Sequence, residues 1–293
     1  MASTLSVPTG RFDQLVGIAR TARQARLPWI PLFIMGTLLI CALFAPLLAP
    51  HDPQEINILD AKLAPGENWS YPLGTDKLGQ DMLSRLIFGA RTALFIGLVA
   101  LGTGAFVGTV LGLVAGYRGG WTDALIMRIA DAVMGFPTIL VAMIIVTILG
   151  AGMVNIILAV ALTVWARFAR MLRGEVLAIK EQDFVILARV AGVSTPVMLA
   201  RHIFPTTVNT LMVLTSLQVG QVILLEASLS FLGLGLPVGA PAWGIMVAEG
   251  RNVILDLWWL AALPGLAITV VVLAFNFFGD WMRDAMDPKL RRA

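Results

Sequence analysis

The chain has 293 residues, of which 58% are hydrophobic and only 13% charged, with a mean hydropathy of +0.85. Soluble domains carry about a quarter charged residues, so this apolar excess excludes an ordinary water-soluble domain and makes lipid the solvent. The net charge of +3 comes from basic residues scattered between apolar blocks; with no basic face, no aromatic–basic interleaving and no zinc spacing, it excludes a nucleic-acid partner.

Six apolar blocks predict six membrane-spanning helices, at 28–48, 92–116, 126–149, 156–172, 208–229 and 257–278. Each is near the ~20 residues that cross a hydrocarbon layer. They define a six-span domain at 28–278 between an N-terminal tail at 1–27 and a C-terminal tail at 279–293. The first block holds the only cysteine, Cys41, which has no partner for an internal disulfide. Its apolar run is long for a secretory signal, and prolines follow both small residues near its end, Ala45 and Ala49, so it reads as a retained anchor.

The loop expected at 49–91 is rich in acids, including Asp52, Glu55, Asp60, Glu67, Asp76 and Asp81. The second span then carries Gly104, Gly108, Gly112 and Gly116 at every fourth position, which places them on one helix face for close packing against a neighbour. In the third span Arg128 and Asp131 stand i, i+3, the spacing of a structural pair, and Pro137 predicts a bend. Pro264 predicts another in the sixth.

Between the fourth and fifth spans lies a basic, periodic segment at 173–207. Phe184, Leu187, Ala188 and Ala191 fall at helical spacing before Gly192, a helix-stop residue. Ser194 and Thr195 are N-cap residues, Pro196 suits a first helical position, and Val197, Ala200, Ile203 and Phe204 form the next apolar stripe. Two short helices around a turn are therefore expected, each too short to stand alone. The pair either rests on the lipid surface or docks a soluble partner.

In the fifth span Thr215, Gln218 and Gln221 share a side, with Glu226 near the far end. They serve either interhelical hydrogen bonds or the wall of a polar pathway. A second acidic loop is expected at 230–256, and the sixth span has a tryptophan pair at one end and phenylalanines at the other, as interface anchors. Sixteen of the 21 lysines and arginines fall in the two tails, at 117–128 and at 167–201. The positive-inside rule therefore puts those segments and both termini in the cytoplasm, and the loops at 49–91 and 230–256 outside.

Chemistry-bearing motifs are missing. There is no phosphate loop, no nucleophile elbow, no H-E-x-x-H pair, and the two histidines, His51 and His202, are far apart. No metal site, cofactor site or catalytic residue is therefore expected, and the chain reads as no enzyme.

The segment at 173–207 resembles the coupling loop, or EAA loop, of ABC-importer permeases, through Asp183, Phe184, Val185, Ala188, Arg189, Gly192, Arg201, His202 and Pro205. The rest of the chain is similar to the second (C-type) permease of the dipeptide/oligopeptide/nickel family. The matching stretches are "LLAPHDP" (47–53), "YPLGTDKLGQDMLSRLIFGAR" (71–91) and "GYRGGWTDALIMRIADAVMGFP" (116–137), followed by "EASLSFLGLGLPVGAPAWG" (226–244) and "FNFFGDWMRDAMDPKLR" (275–291).

The resemblance implies an all-α membrane protein of the type I ABC-importer permease fold, with a cytoplasmic coupling-helix pair. It implies a homologous second permease, two cytoplasmic ATPases that bind ATP and Mg, and an extracytoplasmic solute-binding protein. Residence in a bacterial or archaeal inner membrane is implied as well, with short peptides the commonest solute. Asp183, Phe184, Ile186, Leu187, Ala188, Arg189, Gly192, His202 and Pro205 are the implied contact to an ATPase; Thr215, Gln218, Gln221 and Glu226 are the candidate translocation path. The chain departs from the family pattern at Ile186 and Leu187, where Glu and Ala are usual, and at Gln80, where a basic residue is usual. The rival reading is a stand-alone secondary carrier or channel with a regulatory helix pair.

Overall fold

The computed structural model describes residues 27–237 and 239–286. The expected N-terminal tail, apart from Leu27, and the C-terminal tail beyond Met286 lie outside the described residues. Those described are helical or irregular apart from one isolated bridge, Thr75 to Asp81.

Helix α1 (Trp29–Leu48) exposes Trp29, Ile30, Phe33 and Leu47 and buries only Pro31, Leu38, Ala42 and Ala45. An apolar helix so sparsely covered by protein fits a lipid solvent. Helix α2 (Met82–Arg118) starts earlier than the expected 92, because the Asp81 carboxylate caps it by accepting from the Leu83 and Ser84 amides. Hydropathy marks where lipid begins, whereas the cap marks where the helix begins.

The third expected span is broken. Helix α3 (Gly120–Met134) and helix α4 (Thr138–Leu149) meet at 94° across Gly135, Phe136 and Pro137. Pro137 donates no hydrogen bond and drives the residue before it out of helical geometry. Pro264, in contrast, sits inside helix α9 (Trp259–Met286), which runs through it as one element. Among the described residues there are therefore five helices long and apolar enough to cross a membrane, and six spans when the bent pair counts as one.

Helix α5 (Met153–Ile179) packs along α2, and the glycine stripe is their contact. A Cβ on Gly112 would lie 2.6 Å from the Ala169 carbonyl oxygen, and one on Gly116 2.7 Å from Val176 Cβ. The two backbones touch where only hydrogen fits, as small-residue stripes allow in lipid.

Helix α6 (Asp183–Val190) is short, and helix α7 (Thr195–Phe231) follows as one continuous element. The second short helix expected around Gly192 is thus the beginning of the fifth span. Helix α8 (Trp243–Gly250) crosses the loop between α7 and α9. The main core gathers Ile96, Leu101, Ile156, Val160, Ile223 and Phe275 from α2, α5, α7 and α9.

Candidate functional site

Two places carry the residues singled out by sequence: a corner at one end of the bundle and a seam along its length. At the corner, α6 ends in a Schellman motif. The Val193 amide donates to the Ala188 carbonyl at 3.1 Å and the Gly192 amide to the Arg189 carbonyl at 3.0 Å. Gly192 has φ +77°, a left-handed conformation that suits glycine. Val193 and Ala188 pack together with buried Val185, Leu172, Val176, Met198 and Ile203, the apolar contact that accompanies this motif.

The face leaning on the bundle is therefore Val185 with Ala188, not the stripe of Phe184, Leu187, Ala188 and Ala191. Leu187 and Val190 are 67% and 82% exposed, and Asp183, Phe184, Ile186 and Arg189 are exposed beside them. Arg189 lies over the Tyr117 ring at 5.7 Å, which ties α6 to the end of α2. Within the first part of α7, Met198 and Ile203 are buried, while Val197 and Phe204 stay exposed.

Residues 198–203 form a π stretch, in which the Phe204 amide donates to the Leu199 carbonyl. Pro205 follows, and without an N–H it leaves the Arg201 carbonyl short of its helical donor, a setting in which helices widen. His202 is half-buried and Pro205 exposed there.

The seam runs between α5 and α7. Arg167 Nη1 donates to Gln218 Oε1 at 3.2 Å, and Thr210 Oγ1 to Glu175 Oε1 at 3.0 Å. A cavity of about 200 Å³ is lined by Thr163, Arg167, Gln218, Gln221 and Ser228 among others. A groove of about 580 Å³, lined by Arg167, Arg170, Glu175 and Thr210, continues along the same crossing. Gln218 and Gln221 thus share a cavity wall. Thr215 is half-buried and lines neither space, and Glu226 is buried 1% exposed with its Oε1 accepting from Ser230 Oγ at 2.7 Å.

Asp131 pairs with Arg170 of α5 rather than with Arg128. Sequence reasoning missed Arg167, Thr163 and the Thr210–Glu175 bond. The signal for Arg167 was present, since it is a cation inside the apolar block at 156–172, but it was counted as a charge beyond the membrane.

The bundle's opposite end is closed by hydrogen bonds between distant loops. Arg85, 1% exposed, is held between Asp76 and Glu249, with Nη2 2.9 Å from Glu249 Oε2. Trp259 Nε1 donates to the Thr75 carbonyl at 3.1 Å and Trp243 Nε1 to that of Leu86 at 3.0 Å. Gln80, buried, takes part through its backbone N–H, which donates to Asp76 Oδ1 at 2.9 Å.

Comparison with known proteins agrees with this architecture. Residues 108–292 match the family described as binding-protein-dependent transport system inner membrane component, and residues 16–65 match the N-terminal TM domain of oligopeptide transport permease C. The chain is 41% identical over 267 residues to the di/tripeptide transport system permease protein DppC of Pseudomonas aeruginosa (strain UCBPP-PA14), covering 89% of this chain and 88% of the relative. It is 43% identical over 272 residues to the glutathione transport system permease protein GsiD of Escherichia coli O6:K15:H31 (strain 536 / UPEC), covering 93% and 89%. An all-α bundle with a short helix docked at one end, matched over most of its length by permeases, places this chain among the binding-protein-dependent transport system inner membrane components, as a C-type permease subunit of an ABC importer with the type I fold.

Proposed function

We infer that this permease pairs with a homologous second permease and that the two enclose a path for short peptides or related small solutes such as glutathione. The names of its relatives support that solute class. Two separate ATPase subunits, with ATP and Mg, supply the energy, and an extracytoplasmic solute-binding protein delivers the cargo. The chain resides in a bacterial or archaeal inner membrane with both termini cytoplasmic, as its lysine and arginine distribution supports. On this reading the tails at 1–27 and 279–293 flank a permease domain at 28–278. The loops at 49–91 and 230–256 face outward, and 173–207 is the coupling loop.

The observation that carries the reading is the corner. Helix α6 is fixed to the bundle on one side by Val185 and the Schellman turn, and on its other side exposes Phe184, Ile186, Leu187 and Val190. An exposed apolar patch on a helix held this firmly is a docking surface for a protein. Ile186 and Leu187 offer an apolar contact to the ATPase, Ile186 standing where a glutamate is usual and Leu187 where an alanine is. Asp183, Arg189, His202 and Pro205 border it, and closure of the ATPases around ATP moves the corner and α7 together.

Purification from native membranes in mild detergent tests the assembly: recovery of a second permease, ATPases and a solute-binding protein is expected. Recovery of this chain alone, under conditions that preserve a known importer, overturns the reading in favour of a stand-alone carrier. Gly192→Leu tests the corner. Nothing lies within 4 Å of a Cβ there, so the effect comes from forcing a branched residue to φ +77°, about 1–2 kcal/mol of strain concentrated in the turn. Membrane insertion is expected to persist while uptake is lost, and Gly192→Asn, which tolerates that conformation, is expected to retain uptake.

A further inference from the structure

One side chain in the polar seam carries a charge with no counter-charge. Arg167 lies ~21 Å along α5 from Met153 at the helical rise of 1.5 Å per residue, well within the apolar part of the helix. Ionised groups at such depth face a watery space or pair with one another. Its neighbours pair: Arg170 with Asp131, and Arg173 through two hydrogen bonds with Asp123. Among the described residues Arg167 forms no ion pair, and its hydrogen-bond partner is the neutral Gln218.

Arg167 also lines both the 200 Å³ cavity and the 580 Å³ groove, and it is the residue that their linings share. The other polar groups of the cavity are uncharged: Thr138, Thr163, Gln218, Gln221 and Ser228. In the groove, Glu175 is engaged by Thr210 and Arg170 by Asp131. The cavity therefore presents a net positive centre. A guanidinium has five donors in a planar fork, and its geometry matches a carboxylate through two parallel hydrogen bonds.

We propose that Arg167 is the specificity-determining residue of the α5–α7 seam, receiving the free carboxylate of a small solute as it passes between the cavity and the groove. The proposal rests on the transport reading above and adds the chemical class of the cargo. Arg167 is exposed rather than enclosed by protein, which holds the pairing weak enough for the solute to leave.

Two measurements test it. In a Cys41→Ala background, Gln221→Cys places a single thiol in the cavity wall, to be labelled with an anionic (sulfonatoethyl) and a cationic (trimethylammonioethyl) methanethiosulfonate in the assembled complex. The ratio of anionic to cationic rate is expected to fall about tenfold on adding Arg167→Gln and to be kept by Arg167→Lys. An unchanged ratio, or no labelling, overturns the proposal.

In proteoliposomes with all partner subunits, Arg167→Gln is expected to lower uptake of alanyl-alanine about tenfold, as loss of a charge-assisted hydrogen bond would. Uptake of the C-terminal amide should change far less. Equal loss for both peptides, with poorer recovery of the second permease, would assign the guanidinium to a carboxylate on that subunit and overturn the proposal. If the unsubstituted complex moves neither peptide, the peptide-import reading fails, while the labelling ratio still decides the role of Arg167.

Discussion

Helix α5 has two unlike neighbours, and the contrast separates scaffold from pathway. Toward α2 it meets a glycine stripe at backbone contact, with Ala161, Ala169 and Leu172 filling every space. Toward α7 its own Arg167 and Glu175 meet Gln218 and Thr210 beside open spaces. In lipid there is little hydrophobic drive to bring helices together, so the first contact gains its strength from fit and the second holds its polar groups away from hydrocarbon. One side fixes where the helix stands, and the other leaves room for a solute.

Substitutions on the two sides should therefore differ in kind. The largest effect is expected for Gly112→Leu, whose Cβ would sit 2.6 Å from a backbone carbonyl that cannot move aside. A loss of at least about 3 kcal/mol is expected, beyond ordinary overpacking. It would be read as a lowered unfolding midpoint and poor monodispersity in detergent, and a normally folded variant would show that the seam is looser than described.

Gln218→Leu should do the reverse. Membrane hydrogen bonds average about 0.6 kcal/mol, so the unfolding midpoint should barely shift while the uptake rate falls. A stability loss as large as that of Gly112→Leu would make the α5–α7 seam structural as well. The smallest effect belongs to Gly102→Ala, on α2 but off the stripe, where a Cβ meets nothing within 4 Å. Replacing glycine within a helix is worth up to about 1 kcal/mol of stabilisation, so a neutral or slightly raised midpoint is expected, and a fall would mean that Gly102 too packs against a neighbour.

The parts legible in the sequence were those in which one residue type has one use. Glycine at every fourth position of a span means backbone contact, and it is the α2–α5 seam. Gly192 meant a helix stop, and it closes a Schellman motif with φ +77°. Pro137 meant a bend, and the chain turns there by 94°, an angle that residue type alone does not fix.

Helix ends were legible only in part, because Asp81 starts α2 outside the apolar block and α7 begins at Thr195, far ahead of the block at 208–229. Val185 was hidden as the buried contact of α6, since its flanking Phe184 and Ile186 are equally apolar and periodicity cannot rank them. Arg167 was hidden for the opposite reason: a basic residue near a cytoplasmic segment has two explanations, and the commoner one was counted.

The π stretch at 198–203 has a consequence for the far half of α7. A helix turns 100° per residue, so the widened turn sets the angular phase of every side chain after it. Deleting Ala200 would return the stretch to ordinary helical winding and leave Gln218 and Gln221 near their present phase, whereas deleting Val213 from the ordinary helix would swing them round by about 100°, off the cavity wall, without altering a single residue that lines it. The six residues at the corner are thus where α7 can lose a residue and keep the rotational registration of its polar seam.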